Sequence, residues 1–174
     1  MRFIFSIFAL SLLVACSQKT PAPKCKIDAT HKSKIESNAG CFIQKKGKVL
    51  LIRQRYNSKL SFPGGTHEEG ETAQCTAHRE TWEEAGMNVT VGRTLYTHKN
   101  KFYLFECDIQ EDLGSENLKL LKTNDPVEII DVLWVDPKNT SLTEWRYSPE
   151  RALSIELLGS QQLTPEPIKN VEQR

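Results

Sequence analysis

Pro63-Gly64-Gly65-Thr66-His67-Glu68-Glu69-Gly70-Glu71-Thr72-Ala73-Gln74-Cys75-Thr76-Ala77-His78-Arg79-Glu80-Thr81-Trp82-Glu83-Glu84-Ala85-Gly86-Met87 is the stretch whose reading decides this chain. Pro63, Gly64 and Gly65 demand a sharp bend. Thr72 is a favourable N-cap, and residues 73–85 suit a helix. Gly86 ends it as a residue able to take positive φ. Glu80, Glu83 and Glu84 lie three and four residues apart, on one helical face. Like charges so spaced destabilise a helix unless something offsets them. Arg79 supplies part of that offset, and a divalent cation is the simplest source of the rest. A merely solvated acidic face would explain any one glutamate, but not the glycines, Glu71 and Arg79 at these spacings.

Working outward, residues 39–43 read as a strand, 45–48 as a turn and 49–52 as a buried second strand. Leu60, Ser61 and Phe62 form a short strand that stops at the bend. Residues 89–91, 94–96 and 102–105 are strand-like, and 127–135 predicts another strand. A last helix begins at Ser148-Pro149-Glu150, with proline at its first position, and runs to about Leu158.

The spacing resembles the signature of the Nudix family, G-x5-E-x7-R-E-U-x-E-E-x-G-U, with U a bulky apolar residue. Gly65, Glu71, Arg79, Glu80, Glu83, Glu84, Gly86 and Met87 occupy its fixed positions. Thr81 departs from the aliphatic position, and its methyl group can still pack inward. Glu128-Ile129 and Trp134-Val135 match a second pattern of that family, in the last strand. The resemblance implies an α/β fold, an α/β/α sandwich around a mixed β-sheet. It implies a pyrophosphohydrolase that cleaves a small-molecule diphosphate such as a nucleoside diphosphate linked to a group X, with Mg²⁺ or Mn²⁺. Glu80, Glu83, Glu84 and the Gly64 carbonyl would hold the metal. Arg79 would pair with Glu71 and brace the loop. Glu80 or Glu83 is the first candidate for the general base; Glu128, Glu111, Asp112 and Glu116 are the outside candidates. A Nudix fold reused for binding alone, or as a structural lipoprotein, is the competing reading.

For the substrate, Arg53 and Arg55 alternate along the second strand and can reach a phosphate together, and Gly65 lets phosphate approach the backbone. Tyr103 falls near a tyrosine found in relatives that cleave dinucleoside polyphosphates. Trp145 and Tyr147 can wall a pocket. His67 lies close to the expected metal, and His78 reads as helix surface.

At the start, Met1-Arg2 precedes an apolar run over 3–15 that is too short to cross a bilayer. It reads as an export signal. Its end, Leu13-Val14-Ala15-Cys16, resembles the lipobox of bacterial lipoproteins, which implies lipidation of Cys16; a plain cleaved signal is the alternative. The same resemblance implies, from Ser17 after that cysteine, an outer-membrane lipoprotein facing the periplasm, with the inner membrane left open. The expected organisation is signal 1–15, anchored tether 16–38, Nudix domain 39–159 and polar tail 160–174. Once the signal and its Arg2 are removed, 22 basic and 22 acidic residues remain, and nothing in that balance suggests a general electrostatic grip on nucleic acid, so no nucleic-acid partner is expected. Cys25, Cys41, Cys75 and Cys107 remain in an oxidising space. An even number predicts disulfides, with three connectivities open, or else buried free thiols. Their scatter does not suit zinc.

Overall fold

A computed structural model describes residues 21–110 and 121–161. The export signal, Cys16, the outside base candidates Glu111, Asp112 and Glu116, and residues 162–174 lie outside the described residues.

Among the described residues, eight strands and two α-helices follow one another as β1 (Asn38–Phe42), β2 (Gln44–Lys45), β3 (Lys48–Gln54), β4 (Leu60–Ser61), β5 (Gly64–Gly65), α1 (Ala73–Ala85), β6 (Val89–His98), β7 (Phe102–Ile109), β8 (Ile129–Val135) and α2 (Ser148–Gln161). One sheet runs β5-β1-β7-β6, with β1 and β7 parallel and the other pairs antiparallel. In the second, β3 takes β8 along one edge and β2 and β4 at opposite ends of the other. The β2–β3 turn places Lys46 and Gly47 at φ 50° and 74°, the left-handed pair that a tight hairpin requires.

Side chains alternate across this β layer. Ala39, Cys41, Leu50 and Ile52 face α1; Phe42, Val49 and Leu51 join Trp145 and Leu158 under α2. Both faces are covered, so residues 49–52 form an unbroken apolar run where a half-exposed strand would alternate. Helices on opposite faces of a mixed β layer give the expected α/β/α sandwich.

Helix α1 has the predicted bounds. The Thr72 hydroxyl accepts from the Cys75 amide at 3.3 Å, and Gly86 closes the helix at φ 67°. Ala73, Ala77 and Ala85 are fully buried, and their small side chains let the helix lie close against the sheet. Thr81 is fully buried as well, and its hydroxyl donates back to the Ala77 carbonyl at 2.7 Å.

Several boundaries differ from the sequence reading. Residues 89–98 form one strand, with register shifts around Gly92 and Leu95 where two fragments were expected. Val127 and Glu128 lie in a turn, and β8 starts at Ile129, because the Asp125 carboxylate caps the amides of Val127 and Glu128. Helix α2 extends to Gln161, past the expected start of the tail at 160. His78 is 1% exposed, not helix surface. It hydrogen-bonds Asn88 at 3.3 Å, and burial pushes its pKa down.

Two disulfides select one connectivity from the three. Cys25–Cys75 ties the segment before β1 to the first turn of α1, and Cys41–Cys107 joins β1 to β7 beneath that helix.

Candidate active site at the glycine bend

Strand β5 is two glycines long because nothing larger fits. A Cβ on Gly64 would meet the Ala39 carbonyl oxygen at 2.6 Å, and one on Gly65 would meet the Glu80 carboxylate at 2.5 Å. The bend is thereby pressed between β1 and α1. The Gly64 amide donates to Glu84 Oε2 at 2.7 Å, which ties the bend to the helix.

Arg79 holds the loop between them. Its Nε and Nη2 donate to the two oxygens of Glu71 at 2.9 and 3.1 Å, its Nη2 to the Thr66 carbonyl at 2.8 Å, and its Nη1 to Glu80 Oε1 at 2.9 Å. This two-pronged geometry is available to a guanidinium and not to an ammonium. Glu71 also accepts from the Glu68 amide and the Thr76 hydroxyl, each at 3.1 Å. Burial works to raise the Glu71 carboxyl, and the bonds from Arg79 outweigh it, leaving its pKa below the ordinary value. Glu71 and Arg79 thus brace the loop, at its base.

Glu80 and Glu84 are crowded by like charge and by burial. Burial raises the Glu80 pKa, Arg79 opposes this, and Glu83 and Glu128 add to it. Glu84 is 7% exposed and is raised well above the ordinary range. Burial is the main cause, the Gly64 amide lowers it, and Glu80 and Glu128 raise it further. Glu83 Oε1 lies 3.7 Å from Arg79 Nη1. Among the described residues no three His, Cys, Asp or Glu side chains converge as a ready set of metal ligands. The four glutamates form a field of mutually repelling charge around the bend.

Glu84 and Glu128 open onto a cavity of about 300 Å³, lined also by Gln54, Arg55, Tyr56, Val127 and Ile129. That is the lower end of the range for small-molecule sites. The Gln54 side-chain oxygen is buried, without a hydrogen-bond partner among the described residues.

The substrate residues expected from the sequence do not converge. A register shift between Arg53 and Gln54 breaks the alternation that would have aligned the two arginines. Arg53 bonds the Ser58 carbonyl at 3.0 Å and lies 3.9 Å from Asp131, and it does not line the cavity. Arg55 lines the cavity but donates to the carbonyls of Pro126 and Ile129, at 3.0 and 3.4 Å. Tyr103 stacks on Phe105 at 6.3 Å and packs against the core under α1. Trp145 is 3% exposed and packs edge-on to Phe62. His67 is exposed, its amide 3.3 Å from Asn38 Oδ1.

The segment 122–125 positions Glu128. The Asn124 amide and the Thr123 hydroxyl donate to the Glu83 carbonyl, and the Asn124 side chain donates to the Trp82 carbonyl at 2.9 Å. These bonds cap the end of α1 and fasten the Glu128 turn to it. Only the Asn124-Asp125-Pro126 turn signal hinted at this in the sequence.

Residues 34–157 match the family model described as the NUDIX domain. A MutT-like protein from Streptomyces ambofaciens is 38% identical over 64 residues, which span 37% of this chain and 42% of that protein. The crystal structure of a NUDIX hydrolase from Nitrosomonas europaea superposes with TM-score 0.57 at 21% identity, covering 76% of this chain and 74% of that one. An ADP-ribose pyrophosphatase from Streptococcus suis superposes with TM-score 0.55 at 21% identity, covering 75% and 96%. The family match spans most of the sequence and the entire site, so the chain belongs to the NUDIX family.

Proposed function

We propose that this chain is a divalent-metal-dependent hydrolase of a diphosphate linkage, in a nucleoside diphosphate-X or related compound. The observation that carries this reading is the cluster of Glu80, Glu83, Glu84 and Glu128 around a two-glycine bend, with burial and mutual repulsion raising Glu80 and Glu84. Hard carboxylate oxygens suit Mg²⁺ or Mn²⁺. Gly65 leaves a cradle beside the Glu80 carboxylate that any side chain would fill. Glu80, Glu83, Glu84 and the Gly64 carbonyl are the residues that would hold the cation. When bound, it supplies charge neutralisation at the phosphate oxygens and lowers the pKa of water.

The chain's own groups do the rest. Arg79 and Glu71 fix the loop so that the bend keeps its shape. The Gly64 amide orients Glu84. Glu128 has no side-chain hydrogen bond among the described residues and faces the cavity. Its carboxylate is therefore available to take a proton from an attacking water. The water oxygen bonds to phosphorus, the P–O anhydride bond breaks, and the departing phosphate leaves with its electron pair. A panel of diphosphate compounds, assayed for Mg²⁺-dependent product release with Glu83→Gln as the control, tests this. Turnover that survives metal removal, or that Glu83→Gln leaves unchanged, refutes it.

The two disulfides support residence in an oxidising compartment. With the lipobox at Cys16, they favour a lipid-anchored enzyme of the bacterial envelope, facing the periplasm. Replacing Cys16 with Ser should release the protein from membranes and leave the domain's activity intact. Continued membrane retention counts against lipidation.

A further inference from the structure

A diphosphate entering this cleft meets Glu84 and Glu128, with Glu80 and Glu83 adding to the same negative field, so its binding calls for a cation whose hydrogen-bond donors are not already used. Among the described residues there are six arginines, and five are committed. Arg53 and Arg55 bond backbone carbonyls, Arg79 bonds Glu71, Glu80 and Thr66, Arg93 bonds Glu106 at 2.7 Å, and Arg151 bonds the carbonyls of Thr140 and Lys138.

Arg146 differs. Its guanidinium lies over the ring of Tyr56 at 5.5 Å and over that of Tyr147 at 5.1 Å, and it makes no side-chain hydrogen bond to a described residue. Both rings are largely exposed, at 70% and 53%. Tyr56 lines the cavity that holds Glu84 and Glu128, and Arg146 acts electrostatically on Glu84. Its backbone is held, since the Arg146 amide donates to the Leu60 carbonyl at 2.8 Å and buried Trp145 precedes it. Contact with aromatic faces fixes the orientation of a guanidinium without consuming its N–H groups. The result is a cation held in place at the rim of an acidic cleft, with its hydrogen-bonding fork unspent.

We propose that Arg146, held between Tyr56 and Tyr147, is the residue that grips the phosphate groups of the substrate at the rim of this cleft, with the two tyrosines as its positioning residues. This rests on the diphosphatase reading and adds the binding group that Arg53 and Arg55 do not supply.

The test is calorimetric, on the full chain with Mg²⁺ present, using inorganic pyrophosphate and ADP as probes. Arg146→Met should weaken both probes about 10- to 100-fold, the loss expected of a charged hydrogen-bonded contact. Arg146→Lys should recover part of that loss, and Tyr56→Leu should cost about two- to fivefold. Arg93→Gln, which removes the same charge from β6, should change neither, and melting temperatures report folding. In turnover assays the Arg146→Met defect should appear in KM more than in kcat. Equal binding by wild type and Arg146→Met overturns the proposal. So does a loss confined to ADP, which would mean stacking on the base, or a wild-type protein that binds neither probe. The hydrolase reading fails separately, through absent Mg²⁺-dependent turnover or an innocuous Glu83→Gln.

Discussion

Gly64 and Gly65 are adjacent, yet the same substitution should damage them in different ways. A Cβ on Gly64 meets the Ala39 carbonyl oxygen and the Gly40 Cα, both at 2.6 Å, and both are backbone of a central strand. Neither can move without displacing β1. Gly64→Ala should therefore destabilise the fold by about 1–3 kcal/mol, the cost of overpacking. At about 2–4 °C per kcal/mol for a chain of this size, the melting temperature should fall by several degrees. A Cβ on Gly65 meets the Glu80 carboxylate at 2.5 to 2.9 Å, the far end of a side chain that can rotate away. That rotation breaks the charged bond from Arg79 Nη1 to Glu80, worth about 1.5–3 kcal/mol, but relieves the burial that raises the Glu80 pKa, which offsets much of the loss, so the fold should hold. It also moves a proposed metal ligand by more than an ångström, which should cost about 100-fold in rate. Thermal melts and Mg²⁺-dependent turnover of the two variants, side by side, decide the matter. The reasoning is refuted if Gly65→Ala keeps wild-type turnover, or if it loses as much stability as Gly64→Ala.

Arg79→Lys should lose the paired contact with Glu71 and the bond to Thr66, lowering both melting temperature and turnover. In a double-mutant cycle with Glu71→Gln the losses should be strongly non-additive, and simple additivity would argue against a shared brace. Burial, opposed by Arg146, raises Glu150 to about 8 in the folded protein, against an ordinary 4.5. The folded state thus holds this proton more tightly, and the stability it confers is present below about pH 4.5 and lost as pH climbs towards 8. Glu150→Gln should accordingly stabilise the protein at pH 8 relative to wild type and do so much less at pH 5, as read by urea unfolding; an advantage that grows on acidification would reverse the sign. Each disulfide closes a loop of 50 or 66 residues, for which chain entropy predicts about 4 kcal/mol. The partly exposed Cys25–Cys75 bond should be reduced before Cys41–Cys107, whose cysteines are 0% and 3% exposed, and alkylation followed by mass spectrometry reads that order. Protons compete with a cation for Glu80 and Glu84, whose pKa values are raised, so Mg²⁺ uptake measured by calorimetry should strengthen as pH rises from 5.5 to 8.

Features governed by near neighbours were legible without the fold. Thr72 and Gly86 bounded α1 because caps act on amides and carbonyls within one turn. Residues 49–52 announced a buried strand. The misreadings share a cause, since each turned on a side-chain partner or a pairing register that hydrophobic patterning does not encode. His78 looked like helix surface until Asn88 was placed beside it. Val127 and Glu128 looked like strand until the Asp125 side chain capped their amides. Arg53 and Arg55 looked aligned until a register shift against β8 separated them.

By itself, the sequence determined the family, the helix that carries the glutamates and the glycine bend before it. Those depend on spacing along a few turns of chain, where covalent geometry leaves little choice. Tertiary structure alone decided which cysteines pair, that Glu128 joins the acidic cluster, and that Arg146 keeps its donors free. These facts concern residues tens of positions apart, and their relation is set by how the β layer and two helices pack, which no local pattern encodes.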